Sequence, residues 1–262
     1  MPNACYVYAI VRRDTRLPTA RHGTGDLTMV AWRELAAVTR WMGDDGAPLT
    51  TEAVLHHEAV VEAVREQGPA LPVRFGTMFS DATLVATAVE ARYEALSADL
   101  DRLGDKVELG LTALWAVPPC SDETGLGSTD DTPTTQGAGA RYLRASVARL
   151  RSEDALRERA RVVAQELDQV LGGGALDRRV SLLPTPRIAV RTAYLLDPAG
   201  VDAFRAVFDA MRRDPREVRL LLTGPWPPYS FVRRTQREGG APDGRFAELT
   251  EILAEATQGH LG

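Results

Sequence analysis

The chain has 262 residues, 44% of them hydrophobic and 26% charged, with a formal net charge of −5. This composition fills one large core or two small ones, and it argues against a protein that works by neutralising nucleic-acid phosphates, which needs a basic face and a high pI. No run of about 18 or more apolar residues occurs, and the first residues lack a basic segment followed by an apolar one, so neither a membrane span nor a signal peptide is expected.

Arginines cluster at Arg141, Arg144, Arg149, Arg151, Arg157, Arg159 and Arg161, but acidic residues are interleaved and a solvated helix face is the plainer reading. Lys106 is the only lysine, a skew that reads as genomic base composition. Cys5 and Cys120 make no metal or redox spacing and suit a reducing cytoplasm.

The opening ACYVYAIV, residues 4–11, reads as a central strand, and a turn-rich gap separates it from two weaker strands over 27–30 and 35–40. A helix is expected over 51–67, closed by Gly68 and Pro69, with Ala53, Val54, His57, Val60, Val61 and Val64 on one face and Glu58, Glu62, Arg65 and Glu66 on the other. A short strand LPVRF, residues 71–75, precedes a helix over 81–103. KVELGLTALWAV, residues 106–117, reads as a long buried strand, and the aperiodic stretch 118–139 as a disordered surface loop. A helical region follows over 140–171, whose apolar stripe slips near Ser152 and suggests a bend or two helices. Strands over 179–183 and 187–196 flank Pro184 and Pro186. Asp197 and Pro198 then start a helix with Val201, Phe204, Phe208 and Met211 in phase, and a strand over 217–223 follows.

From Lys106 the order is strand, helix, strand, strand, helix, strand. That is the βαββαβ order of a ferredoxin-like antiparallel sheet with helices on one face. The expected organisation is α+β in two domains: residues 1–104, a modified ferredoxin-like domain over 105–232, and a polar tail over 233–262 with an amphipathic segment aligned on Phe246, Leu249, Leu253 and Ala256.

Chemistry-bearing patterns are few. His56 and His57 are adjacent, so on a helix they point about 100° apart and do not grip one ion, and His57 in the apolar stripe reads as a hydrogen-bonded core histidine. GTGD, residues 23–26, is too short for a phosphate loop, and no Walker, kinase or nucleophile-elbow pattern is present. No catalytic constellation, metal set or cofactor motif emerges. Arg74 alternates with Val73 and Phe75, which in a half-buried strand puts its guanidinium on a face with Pro72 and Gly76, needing an acceptor: Glu58 or Glu62 within the chain, or a partner's carboxylate or carbonyl.

The segments HHEAVVEAVREQGPALPVRFGTMF, KVELGL, GARYL and LLTGPWPPYSFV occur in that order, the most specific being PVRFGT and TGPWPPYSF. Together they resemble the gas vesicle protein family GvpL/GvpF, over about residues 6–232. The resemblance implies an intracellular accessory protein for building gas vesicles, not an enzyme, that binds the hydrophobic shell protein and supports shell assembly or nucleation. It also implies two α+β domains, the second a modified ferredoxin-like fold. Other accessory proteins of the vesicle are further candidate partners; nucleic acid, membrane and cofactors are not. The acidic stretch 121–136 and the tail from Arg233 depart from the family pattern. Alternatives are a minor structural component of the shell and a ferredoxin-like small-molecule sensor or enzyme.

The candidate partner-binding or domain-stapling residues are Pro72, Arg74, Phe75 and Gly76, and in the proline arm Gly224, Pro225, Trp226, Pro227, Pro228, Tyr229 and Phe231. Prolines lack an N–H and fix φ, so the arm is expected to leave the sheet as a stiff extended segment. Burying each of its rings contributes about 2 to 3 kcal/mol, so a cover is expected, either between the two domains or from the shell subunit.

Overall fold

The computed structural model describes residues 4–18, 26–43, 50–116, 138–182, 185, 187–213 and 217–233, excluding the side chains of residues 138–145. Most of the 118–139 stretch, Pro184, Pro186, Cys120 and the amphipathic segment of the tail lie outside the described residues. Contacts divide the chain into two units, Met1–Glu108 with Pro225–Gly262, and Leu109–Gly224. The chain thus re-enters the first unit at Pro225, whereas the sequence order grouped residues 225–232 with the second domain.

In the first unit, β1 (Ala4–Arg12), β2 (Thr28–Trp32), β3 (Leu35–Met42), β4 (Ala70–Pro72) and β5 (Met78–Phe79) form one sheet, ordered β2-β3-β1-β4, with β5 also on β1. All of these pairings are antiparallel. β1 is central, as its apolar run predicts, and its residues Cys5 to Val11 are buried. Its register against β3 shifts between Val7 and Ala9. The bulge resets the alternation, so Tyr6, Tyr8, Ala9 and Val11 join one core cluster. Val7 and Ile10 line a cavity on the opposite side.

Helix α1 (Thr51–Arg65) starts at Thr50, whose hydroxyl accepts the Ala53 N–H at 3.2 Å, and buries Val54, His57, Val60, Val61 and Val64. α2 (Ala82–Glu90), capped by the Asp81 carboxylate on the Leu84 N–H at 2.9 Å, packs on β2 and β3. α3 (Tyr93–Leu103) packs on β1 and β4. The single helix expected over 81–103 is therefore two. β4 stops at Pro72, so the expected strand 71–75 is also shorter: the chain turns out of the sheet and rejoins it at β5.

The second unit holds, in the expected order, β6 (Val107–Trp115), α4 (Ala138–Leu171), β7 (Asp177–Ser181), β8 (Ile188–Leu196), α5 (Val201–Arg212) and β9 (Val218–Trp226), apart from Val107, Glu108, Pro225 and Trp226 at the strand ends. The sheet order is β7-β8-β6-β9, the first strand lying between the third and the fourth. β7 and β8 are antiparallel. The bonds Ala116 N–H to Glu217 O at 2.9 Å and Thr223 Oγ1 to Gly110 O at 3.2 Å make β6 and β9 antiparallel as well. α4 is one helix through Ser152 and packs on β8 and α5. α5 buries Val201, Phe204, Phe208 and Met211, the stripe read from the sequence.

β9 continues three residues past Thr223, through Gly224 and Pro225 to Trp226. The expectation that proline ends the ladder fails here because β9 is an edge strand, where a missing N–H leaves no partner unsatisfied.

Candidate functional site

The two most specific sequence segments meet in the first unit. After Pro72 the Val73 N–H still donates to Tyr8 O at 2.9 Å, and the Val7 N–H donates to Thr77 O at 3.0 Å where pairing resumes. Between them Arg74 to Thr77 form a tight turn: the Thr77 N–H and hydroxyl both donate to Arg74 O, at 3.2 and 2.7 Å, and Gly76 adopts φ +80°. A positive φ at the third position is the requirement of a type II turn, and glycine meets it without strain. Arg74 therefore sits at a turn and not on the strand face expected for it.

His57 lies behind this turn. Its Nε2 is 3.0 Å from Val73 O, which fixes the proton there, and its Nδ1 accepts the Tyr6 hydroxyl at 2.9 Å. The Gly76 N–H donates to the same Tyr6 oxygen at 3.0 Å. Tyr8 stacks on the imidazole with centroids 5.4 Å apart, and Phe75 meets it edge-on at 5.6 Å. Burial lowers the His57 pKa to about 4, so the ring is neutral, the core role its place in the stripe indicates. His56 takes a different partner, Arg40 Nη1 at 2.9 Å, and the two histidines share no ion site.

The proline arm enters the same neighbourhood. Pro227, Pro228 and Phe231 are buried, and two tight bonds, Tyr229 N–H to Pro227 O at 2.8 Å and Phe231 N–H to Pro228 O at 3.2 Å, curl its end. The Tyr229 hydroxyl interacts with the Glu58 carboxyl, and burial raises Glu58 to about 7. Glu58 is thus half-buried and not on the open solvent face on which the helix period put it.

Beyond Tyr229 the arm is held by two further carboxylates. Glu108, 7% exposed, accepts the Ser230 hydroxyl at 2.6 Å and the Ser230 N–H at 2.8 Å. Asp99, 1% exposed, accepts the Arg233 N–H at 2.7 Å and Arg102 at 3.0 Å, while Arg102 also donates to Phe231 O at 3.0 Å. Burial raises the Glu108 pKa against the lowering effect of both Ser230 bonds. None of these anchors was singled out from sequence, although Glu108 carried a signal: a lone acid between the apolar Val107 and Leu109 of a strand.

On the other side of the sheet lies a half-open cavity of about 330 Å³. Val7, Ile10 and Ala37 of the sheet and Val85, Ala88 and Val89 of α2 make its apolar wall. Pro72 and Arg74 enter from one signature segment, and Tyr229, Val232 and Arg233 from the arm and the residues just after it. Arg92 completes the mouth and donates to Arg233 O. Neither His57 nor Glu58 lines it. Of the sequence candidates, Pro72, Arg74 and Tyr229 reach the cavity; Phe75 and Gly76 support His57 and Tyr6; Phe231 is core; and Gly224, Pro225 and Trp226 lie on β9.

Among the described residues no helix is long and apolar enough to cross a membrane, and no cluster of three or more metal-ligating side chains occurs. Two α+β units with antiparallel sheets define a class of fold shared with known structures. The crystal structure of gas vesicle protein GvpF from Anabaena sp. PCC7120 superposes with a TM-score of 0.64 at 15% identity, covering 91% of this chain and 100% of that one. GvpF from Microcystis aeruginosa gives the same TM-score over 88% of this chain.

Residues 4–233 match the family of gas vesicle synthesis proteins GvpL/GvpF, and the chain belongs to that family. It is 30% identical to gas vesicle protein L of Streptomyces sp. (strain CB03234), over 89% of this chain and 97% of that protein. It is 25% identical to gas vesicle protein F2 of Halobacterium salinarum, over 87% and 91%. Membership gives it a role in gas vesicle formation, in association with other gas vesicle proteins.

Proposed function

We propose that this protein is a cytoplasmic, vesicle-associated accessory factor that binds the hydrophobic gas vesicle shell protein and supports shell assembly or nucleation. The observation that supports the reading is the half-open apolar cavity of about 330 Å³ framed by both signature segments. A concave apolar surface with rigid walls binds an apolar segment at low entropic cost, because little of it has to be ordered on contact. Two strongly perturbed polar groups of this unit face inner partners and so serve the scaffold: His57 is bonded to Val73 and Tyr6, and Glu58 interacts with Tyr229.

The test is co-expression with the shell protein followed by pull-down, comparing wild type with Arg74→Ala and Trp226→Ala and checking each fold by circular dichroism. Wild type is expected to retain the shell protein, and a folded Arg74→Ala variant to retain less. Failure of the wild type to retain it at all would remove direct binding and turn the search to other accessory proteins.

A further inference from the structure

We infer that the cavity of the first unit is an anchor pocket for an acidic amphipathic segment of the partner: one or two apolar side chains enter it, and carboxylates beside them meet Arg74, Arg92 and Arg233. The inference deepens the proposed binding of the shell protein and rests on it.

Size limits the occupant first. At about 330 Å³ the cavity is at the lower end of ligand pockets, enough for a few side chains and too small for a helix or a sheet edge. Its wall of Val7, Ile10, Ala37, Val85 and Val89 offers almost nothing to a polar group, so what enters is apolar.

Charge then selects the flanks. Among the described residues Arg74, Arg92 and Arg233 line the cavity and no Asp or Glu does, in a chain whose net charge is −5. The positive mouth is therefore a local arrangement against the overall sign, and it favours carboxylates and disfavours basic flanks. Two of the three backbones are fixed in advance: the Arg74 carbonyl closes the 74–77 turn, and the Arg233 N–H rests on buried Asp99 while its carbonyl accepts Arg92. Asp99 offsets part of the Arg233 charge. A guanidinium fork matches a carboxylate's two oxygens.

The test uses the full chain and synthetic labelled helical peptides read by fluorescence anisotropy. One carries a Leu/Phe stripe flanked by Glu, the second the same stripe flanked by Lys, and the third Glu flanks with the stripe changed to Ser. The first is expected to bind at least about tenfold more tightly than either of the others. Filling the pocket by Ala88→Trp, or reversing the rim by Arg74→Glu, is expected to weaken it by at least about tenfold, with the melting temperature confirming that each variant folds. Two variants are used so that a misfolded Ala88→Trp still leaves the rim to decide. Equal binding of Glu- and Lys-flanked peptides, an unchanged affinity in both variants, or binding of dodecanoate without binding of the acidic peptide would each overturn the inference. The Ala88→Trp chain in the shell-protein pull-down separates the two ideas: retention equal to wild type sinks the pocket and leaves shell binding standing, whereas no retention by wild type sinks shell binding while the peptides still decide the pocket.

Discussion

Two neighbouring residues of α1 respond to pH with opposite signs. Glu58 is raised by burial to about 7, so it favours the folded chain while protonated. That contribution is complete below the unfolded carboxyl value of about 4.3 and is lost as the pH rises through 7, a change of roughly 3 kcal/mol. His57, lowered by burial to about 4, behaves conversely: its contribution is complete above the unfolded value of about 6.5 and is lost as the pH falls through 4. Replacing Glu58 by Gln keeps the contact with Tyr229 and removes the charge. Thermal melts are expected to show Glu58→Gln above wild type at pH 8, with the difference gone by pH 4.5; a constant difference at both pH values would count against a half-buried, titrating Glu58. His57 was legible from the sequence because the stripe places it among valines. Glu58 was not, since the residue it interacts with, Tyr229, lies far along the chain.

At the level of elements, the 74–77 turn shows why a motif looks special without touching a ligand at every position. Gly76 has φ +80° and open space where a Cβ would stand, so substitution there is opposed by backbone strain alone. Gly76→Val is expected to cost about 1 to 3 kcal/mol in chemical denaturation and Gly76→Asn distinctly less, because Asn tolerates the left-handed region. Equal costs would mean that side-chain crowding decides. The stripe of α5 was legible in full, since four apolar residues at helical spacing have one way to be buried. The break between α2 and α3 was not. Val85, Val89, Leu96, Leu100 and Leu103 keep one phase across it, and neither Gly nor Pro marks Ala91 or Arg92. The exit of the chain at Pro72 was hidden for a related reason: PVRF alternates like a strand, and only Gly76 signals that the backbone turns.

For the whole molecule, the decisive feature is that the chain leaves the first unit after Glu108 and returns to it at Pro225. Local pattern marks where a strand ends, but not which sheet its continuation joins, and so the destination of the proline arm was not legible. Buried carboxylates supply that destination: Glu108 receives Ser230, and Asp99 receives Arg233. Each satisfies an N–H that no strand pairs, and between them Phe231 is fully buried. Truncating Phe231 to Ala is expected to cost about 3 to 5 kcal/mol, as for other fully buried aromatic side chains. Glu108→Ala isolates the anchoring. It removes the acceptor of the Ser230 N–H and leaves that of the Arg233 N–H, so amide exchange measured residue by residue is expected to rise at Ser230 and stay slow at Arg233. Faster exchange at both would mean that the arm docks and releases as one piece. No change at Ser230 would mean that Phe231 packing alone holds the arm, and that the carboxylates merely follow it.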